Sequence, residues 1–111
     1  MGIQNWSEDI ILVDLPAEPQ LGDEVKTVTE MVRDRGDCDV VMDFSCVDIV
    51  TSSSLSKFLR LRKLLGDCGH RLVFCNVAVA TKGIFIVTGI DGIFEFADDK
   101  FVALASLQLT T

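Results

Sequence analysis

The sequence has no tyrosine, one tryptophan, one histidine and two prolines among its 111 residues. Cations are also scarce, because ten lysines and arginines stand against 17 aspartates and glutamates and leave a net charge of -7. A protein that binds nucleic acid directly needs cations to displace the counterions of the phosphates. The excess of acids therefore argues against direct nucleic-acid binding, and it argues equally against docking on anionic lipid.

Long apolar runs are absent as well. A membrane-spanning helix needs about 20 consecutive apolar residues, and no segment approaches that length. The first nine residues contain no cationic stretch followed by an apolar one, which a signal peptide would show. We therefore expect a cytoplasmic protein that does not insert into a membrane.

The four cysteines, at positions 38, 46, 68 and 75, form no Cys-x-x-Cys pair, and the one histidine is His70. This pattern does not support a zinc site and favours reduced thiols. A catalytic cysteine would also need a base nearby, and the sequence offers no evident one. We accordingly predict no metal, no cofactor and no catalytic residue, so an enzyme is the weakest of the functional hypotheses.

A chain of this length is expected to form a single domain over residues 1–111. The apolar, β-branched run at residues 10–13, which follows a polar turn at 7–9, predicts a hairpin with a weak strand near residues 3–6 and a firmer one at 10–13. A helix from Gln20 to Gly36 should bury one stripe, formed by Leu21, Val25, Val28 and Val32. Further strands are predicted at 40–44, 71–75 and 93–96, and further helices at 53–65 and 81–88.

The second helix is predicted to turn Leu55, Phe58, Leu59 and Arg62 to one side. A last helix is predicted after Asp98, which would cap it, with Phe101, Leu104 and Ala105 facing inward. The resulting order, β-β-α-β-α-β-α-β-α, predicts an α/β fold. Its sheet should be mixed, with parallel strands and an antiparallel edge.

Four hydroxyl residues in a row, Thr51 to Ser54, stand where the second helix should begin. Such residues commonly cap helices, but one hydroxyl is enough for that, and no Glu or Gln follows at capping-box spacing. The alternative is a phosphate acceptor, because the positive end of a helix tolerates a phosphate well. Chemistry alone favours the capping interpretation.

Two motifs around this segment resemble those of the STAS domain, the anti-sigma factor antagonist (anti-anti-sigma factor) family. The first comprises Asp43, Ser45, Val47, the pair Ser52 and Ser53, and Leu55. The second runs from Gly69 to Val77 and continues from Thr88 to Phe94. The match covers about residues 40–96, and the element order extends it to nearly the whole chain.

The resemblance implies a STAS fold with four or five strands in a mixed sheet and about four helices. It also implies a phosphorylation-switched regulatory protein that antagonises an anti-sigma factor, in partner-switching control of transcription. The first choice of phosphoacceptor is Ser52, followed by Thr51 and Ser53. The implied partners are an anti-sigma factor that is also a serine kinase, and a phosphatase.

The sequence departs from the family pattern at three places. Thr51 stands where the family usually has Asp, Ser54 stands where it has Gly, and residues 15–19 replace an early Gly-Glu-Leu-Asp turn. These departures give weight to a second hypothesis, an unswitched STAS subunit of a signalling scaffold or a transport assembly.

Four of the ten cations fall within seven residues of the second helix: Lys57, Arg60, Arg62 and Lys63. They form either a solvated helix face or a docking face for an acidic partner, in which opposite charge would speed association. We predict a partner-binding surface that includes Lys57 and Arg60, together with Asp43 and Ser54.

Overall fold

The computed structural model describes residues 2–108, which form five strands and four helices. In chain order these are β1 (Gly2–Asn5), β2 (Ile10–Asp14), α1 (Gln20–Arg35), β3 (Asp39–Asp43), α2 (Ser52–Asp67), β4 (Leu72–Cys75), α3 (Val79–Val87), β5 (Glu95–Ala97) and α4 (Lys100–Gln108). The predicted order of elements is therefore confirmed. Most of the predicted boundaries are shifted by only one or two residues.

The strands form one mixed sheet in the order β1-β2-β3-β4-β5. The hairpin partner β1 pairs antiparallel with β2, so that Gly2 lies opposite Asp14. The pairs β2–β3, β3–β4 and β4–β5 are parallel. Each parallel pair requires a crossover, and the helices provide it. The carboxyl ends of β2, β3 and β4 consequently meet at one edge of the sheet.

The two faces of the sheet bury different cores, because successive side chains along a strand alternate between faces. One face packs against α1, α2 and α3 and contains a cluster of phenylalanines centred on Phe74. The other face is covered by α4, through Ala103, Leu104 and Leu107. Within residues 2–108, no helix combines the length and the apolar character needed to cross a membrane.

The predicted buried stripe of α1 is confirmed, since Leu21, Val25, Val28 and Val32 are all buried. The predicted inner side of α2 is only partly correct. Phe58 is buried, Leu55 and Leu59 are half-buried, and Arg62 is exposed. Ser54, Leu61 and Leu65 complete the buried stripe, because α2 packs against α1 as well as against the sheet.

The predicted rotation of α4 is wrong. The side chain of Asp99, not that of Asp98, accepts the capping hydrogen bond, from the backbone N–H of Val102 at 2.9 Å. Phe101 is 75% exposed and Ala105 is also exposed, whereas Leu104 is buried as predicted. Six of the nine residues of this helix are apolar, and they occupy more than one side, so the pattern alone leaves its inner face undetermined.

Candidate functional site

The β3–α2 connection carries the first of the two motifs along the carboxyl edge of the sheet. It begins where β3 ends at Asp43, and it ends at Thr51, immediately before α2. Phe44, Val47 and Val50 anchor the connection in the core, while Ser45, Cys46, Asp48 and Ile49 are exposed. The connection is therefore held at three points and presents short exposed stretches between them.

Asp43 is only 7% exposed and is the hub of a polar cluster. Its Oδ1 accepts hydrogen bonds from the backbone N–H of Ser45 at 2.9 Å, from Ser45 Oγ at 2.5 Å and from Asn76 Nδ2 at 3.2 Å. Its Oδ2 lies 3.6 Å from Lys100 Nζ. Burial opposes ionisation, but the bonds from Ser45 and Asn76 and the charge of Lys100 outweigh it and lower the pKa of Asp43.

This cluster fixes the shape of the site. It joins the end of β3 to the residue after β4, Asn76, whose φ of 56° is unusual for a residue other than glycine. It also ties the first residue of α4 to the sheet, because Lys100 pairs with Asp14 as well. The burial of Asp43 and its existing bonds argue against the predicted direct contact with a partner.

Thr51 caps α2. Its backbone is extended, and its Oγ1 accepts from the backbone N–H of Ser54 at 3.2 Å. The capping interpretation of the hydroxyl run is therefore confirmed for one of its four members. Ser54 is 2% exposed, and its hydroxyl lies 3.3 Å from Thr51 Oγ1. Ser54 is therefore not part of the exposed surface of the protein, and its contact with a partner stays a prediction.

Ser52 and Ser53 are the first two residues of α2, and both are exposed. Neither hydroxyl makes a hydrogen bond within residues 2–108. Successive helical residues are turned by about 100°, so Ser52 lies about 200° around the helix from the buried Ser54. Ser52 thus stands on the outer side of α2, whereas Ser53 lies on the same side as Lys57, four residues later.

Glu18 also belongs to the site, although no sequence pattern pointed to it. Its Oε2 accepts from the backbone N–H of Thr51 at 2.8 Å, across 33 positions of the chain. Partial burial raises the pKa of Glu18, but hydrogen bonds from Thr51 and Ser54 and the charge of Lys57 give a net lowering. Where the family pattern places an aspartate at position 51, this chain thus brings a carboxylate to the same helix end from the β2–α1 connection.

Two exposed apolar side chains flank the contact between α3 and the β3–α2 connection. The Thr81 hydroxyl donates to the backbone carbonyl of Asp48 at 3.0 Å, which holds α3 against the β3–α2 connection. Ile49, next in sequence, is 67% exposed, and Val79 at the start of α3 is 91% exposed. Large exposed apolar side chains grouped in this way are typical of protein-binding surfaces.

Lys57 and Arg60 lie on the side of α2 that faces α1, where they line a groove between the two helices. Arg62 and Lys63 do not line this groove: Arg62 donates to the carbonyl of Ile93, and Lys63 pairs with Asp67 further along α2. Only two of the four neighbouring cations therefore face the groove. Within the described residues, no three histidine, cysteine, aspartate or glutamate side chains converge as metal ligands.

This sheet, its helices and the hydroxyl run at the start of α2 define a STAS domain. The family model described as "STAS domain" matches residues 17–101, which is most of the chain. The chain therefore belongs to the STAS domain family.

One sequence relative of this chain carries the name of an anti-sigma factor antagonist. BtrV of Bordetella bronchiseptica, which carries the provisional designation anti-sigma factor antagonist, is 28% identical over 75 residues. The matched region covers 68% of this chain and 65% of BtrV, which is slightly less than two thirds of that protein.

Solved structures share the fold at lower identity. The anti-sigma factor antagonist SpoIIAA in its unphosphorylated form superposes with a TM-score of 0.77 at 10% identity, covering 99% of this chain and 97% of SpoIIAA. A chain of the stressosome, a signal integration and transduction hub, gives 0.76 at 18% identity, with 97% and 96% covered. At these identities the likeness establishes the fold alone.

Proposed function

We propose that this protein is an anti-sigma factor antagonist whose binding to its partner is switched off by phosphorylation of Ser52. The observation that carries the proposal is the free, exposed hydroxyl of Ser52 at the first position of α2, beside two hydroxyls that are already engaged. A kinase needs an accessible hydroxyl, and Ser52 offers one on the outer side of the helix.

The other two candidate acceptors rank below Ser52. Thr51 is exposed, but its oxygen caps α2, so a phosphate there would compete with the cap. Ser53 is as free as Ser52, and a phosphate on it would lie one helical turn from Lys57, which would attract and partly neutralise it. Only on Ser52 does the added charge stand on the outer side, where it can repel a docking protein.

A phosphate on Ser52 would add about 1.5 to 2 negative charges at neutral pH. The helix N-terminus accommodates such charge, so the fold should persist. The partner is affected instead, because the charge would stand beside the exposed Ser53 and three residues after the exposed Ile49. Docking against these side chains would then require a charged group to be desolvated, and binding would weaken.

The partner class follows from the family. We propose an anti-sigma factor that is also a serine kinase; it would transfer the γ-phosphoryl group of ATP to Ser52 Oγ, releasing ADP and the hydroxyl proton. A phosphatase would return the serine by hydrolysis. This chain would itself catalyse nothing and would act in the cytoplasm as a single STAS domain.

The test compares binding of the captured partner to the wild type, Ser52→Glu and Ser52→Ala. We expect Ser52→Glu to weaken binding by about tenfold or more, whereas Ser52→Ala binds normally but cannot be phosphorylated. Ser56→Glu is the matched control, because Ser56 is an exposed serine one turn further along α2. Unchanged binding by Ser52→Glu would contradict the switch.

A second measurement locates the modification. The protein is incubated with ATP and its cognate kinase, and the phosphate is mapped by mass spectrometry. Phosphate on Ser52 supports the proposal, and phosphate found only outside residues 51–54 contradicts it. Phosphate on Thr51 or Ser53 but not on Ser52 would contradict the choice of Ser52 as the acceptor.

A second candidate function is that of an unswitched subunit in a signalling scaffold. The likeness to a stressosome chain and the departures at Thr51 and Ser54 support it. The two functions differ in the partner and in the effect of modification. Capture of a homologous scaffold protein or of a transporter, with binding indifferent to Ser52→Glu, would favour the second.

A further inference from the structure

A groove of about 440 Å³ runs between the outer sides of α1 and α2. Charged side chains dominate its walls, which are formed by Asp23, Lys26, Thr29, Glu30, Arg33, Lys57 and Arg60. The helices approach closely at one end, where a Cβ placed on Gly22 would lie 3.3 Å from the Oγ of the buried Ser54. The groove therefore lies directly beside the contact between α1 and α2.

The cations of the groove differ from the other described cations in having no ion pair or hydrogen bond. Elsewhere in residues 2–108, Arg35, Lys63, Arg71 and Lys100 pair with carboxylates, Arg62 donates to a carbonyl and Lys82 lies over the Phe96 ring. Among the described residues, the four cations without an ion pair or hydrogen bond are those that line the groove: Lys26, Arg33, Lys57 and Arg60. Their grouping leaves four available positive charges in one place.

Two acids, Asp23 and Glu30, also line the groove, so its walls carry an excess of two positive charges. In a chain with a net charge of -7, this is a local reversal of sign. Such a region attracts anionic groups that the rest of the surface repels, and it can steer a partner into one orientation.

The length of the groove distinguishes an extended occupant from a single anion. Asp23 and Arg33 are ten positions apart on α1, which corresponds to about 15 Å along the helix axis. One phosphate group would contact only a small part of this length. A peptide segment rich in aspartate and glutamate could meet the cations of both walls at once.

We propose that the α1–α2 groove binds an acidic segment of a partner protein. The groove is a contact separate from the serines, and Lys57 lies only five residues after Ser52, so one partner can engage both. That this segment belongs to the anti-sigma factor rests on the proposed function. The capacity of the groove to bind an acidic segment does not.

The test uses a deca-glutamate peptide as the probe, titrated into the isotope-labelled full chain and followed by NMR. At about 20 mM salt we expect shift changes concentrated in residues 23–33 and 57–60, and at about 200 mM salt the affinity should fall strongly. Lys57→Glu/Arg60→Glu should weaken binding at least about tenfold. Lys26→Glu/Arg33→Glu, on the opposite wall, should do the same.

Arg62→Glu/Lys63→Glu is the matched control, because it makes an equal change in charge on the same helix but outside the groove. At about 20 mM salt, charges within roughly 20 Å still interact, so this pair should weaken binding somewhat, but clearly less than either groove pair. Shift changes spread evenly over all cations, equal weakening by the control pair, or no binding of the probe would overturn the proposal. Since Ser52 takes no part in this titration, failure of the serine switch and failure of the groove are separately observable.

Discussion

Two polar clusters of the site differ in how many of their side chains are already bonded. Around Asp43, the carboxylate binds Ser45, Asn76 and Lys100. At the start of α2, Thr51 and Ser54 are bonded, whereas the hydroxyls of Ser52 and Ser53 have no partner among residues 2–108. The difference indicates that the Asp43 cluster stabilises the fold, whereas the start of α2 leaves two hydroxyls exposed and unbonded.

The largest effect on stability should come from disrupting the polar cluster around Asp43. Asp43→Ala removes the acceptor of three hydrogen bonds and the partner of Lys100, so we expect the free energy of unfolding to fall by about 3 kcal/mol. Urea unfolding measures this. The control is Asp48→Ala, an exposed carboxylate in the same connection, with an expected change below about 0.5 kcal/mol. Equal losses in both variants would mean that the cluster does not hold the fold.

Acid should abolish the contribution of Asp43. Its pKa in the folded protein is lowered from 3.8, so its stabilisation is complete above that value and is lost as the pH falls through the lower folded pKa. The stability difference between wild type and Asp43→Asn should therefore be constant at neutral pH and shrink in strong acid. Unfolding curves across this range check it, and a difference independent of pH would exclude ionisation as the cause.

A smaller effect on stability is expected from substitutions in the hydroxyl run, residues 51–54. Thr51→Ala removes the α2 cap and should lower the free energy of unfolding by about 1 kcal/mol. Ser52→Ala removes a hydroxyl without a partner and should change it by less than about 0.5 kcal/mol. Comparing the two urea midpoints sharpens the distinction between engaged and free hydroxyls. If Ser52→Ala were the more destabilising, the assignment of these roles would be wrong.

A loss smaller than that of the Thr51 cap should come from Glu18→Gln, which keeps the shape of the side chain but removes its charge from the start of α2. We expect a loss of about 0.5 kcal/mol at neutral pH. The pKa of Glu18 is lowered from 4.5, so the loss should disappear as the pH falls through the folded value. Glu8→Gln, at an exposed position, is the control. Identical pH dependence of the two variants would contradict the role of Glu18.

Sequence patterns predicted the helices, strands and buried faces correctly where polar and apolar residues recur with a clear period. The α1 stripe and the run of strands and helices were predicted because each depends on residues close in sequence. The pattern failed for α4, where apolar residues occupy both possible inner faces. There the ion pairs of Lys100 with Asp14 and Asp43, and the packing of Ala103 on the sheet, select the rotation.

The candidate site, too, was predicted from the sequence only in part. The hydroxyl run and its place at a helix start were evident from the sequence, and so was a cap. Which hydroxyl caps, which is buried and which is free depends on the packing of α2 against α1. The burial of Asp43 and Ser54, which argues against direct partner contact, depends on that tertiary environment too.

The sequence by itself determined the order of elements, the mixed sheet and the position of the serines, because periodicity and helix-start chemistry are properties of neighbouring residues. Only the tertiary structure brought Glu18 to Thr51 and gathered Lys26, Arg33, Lys57 and Arg60 into one groove. These groups come from different parts of the chain, so their proximity is set by the crossovers and by helix packing and has no local signature.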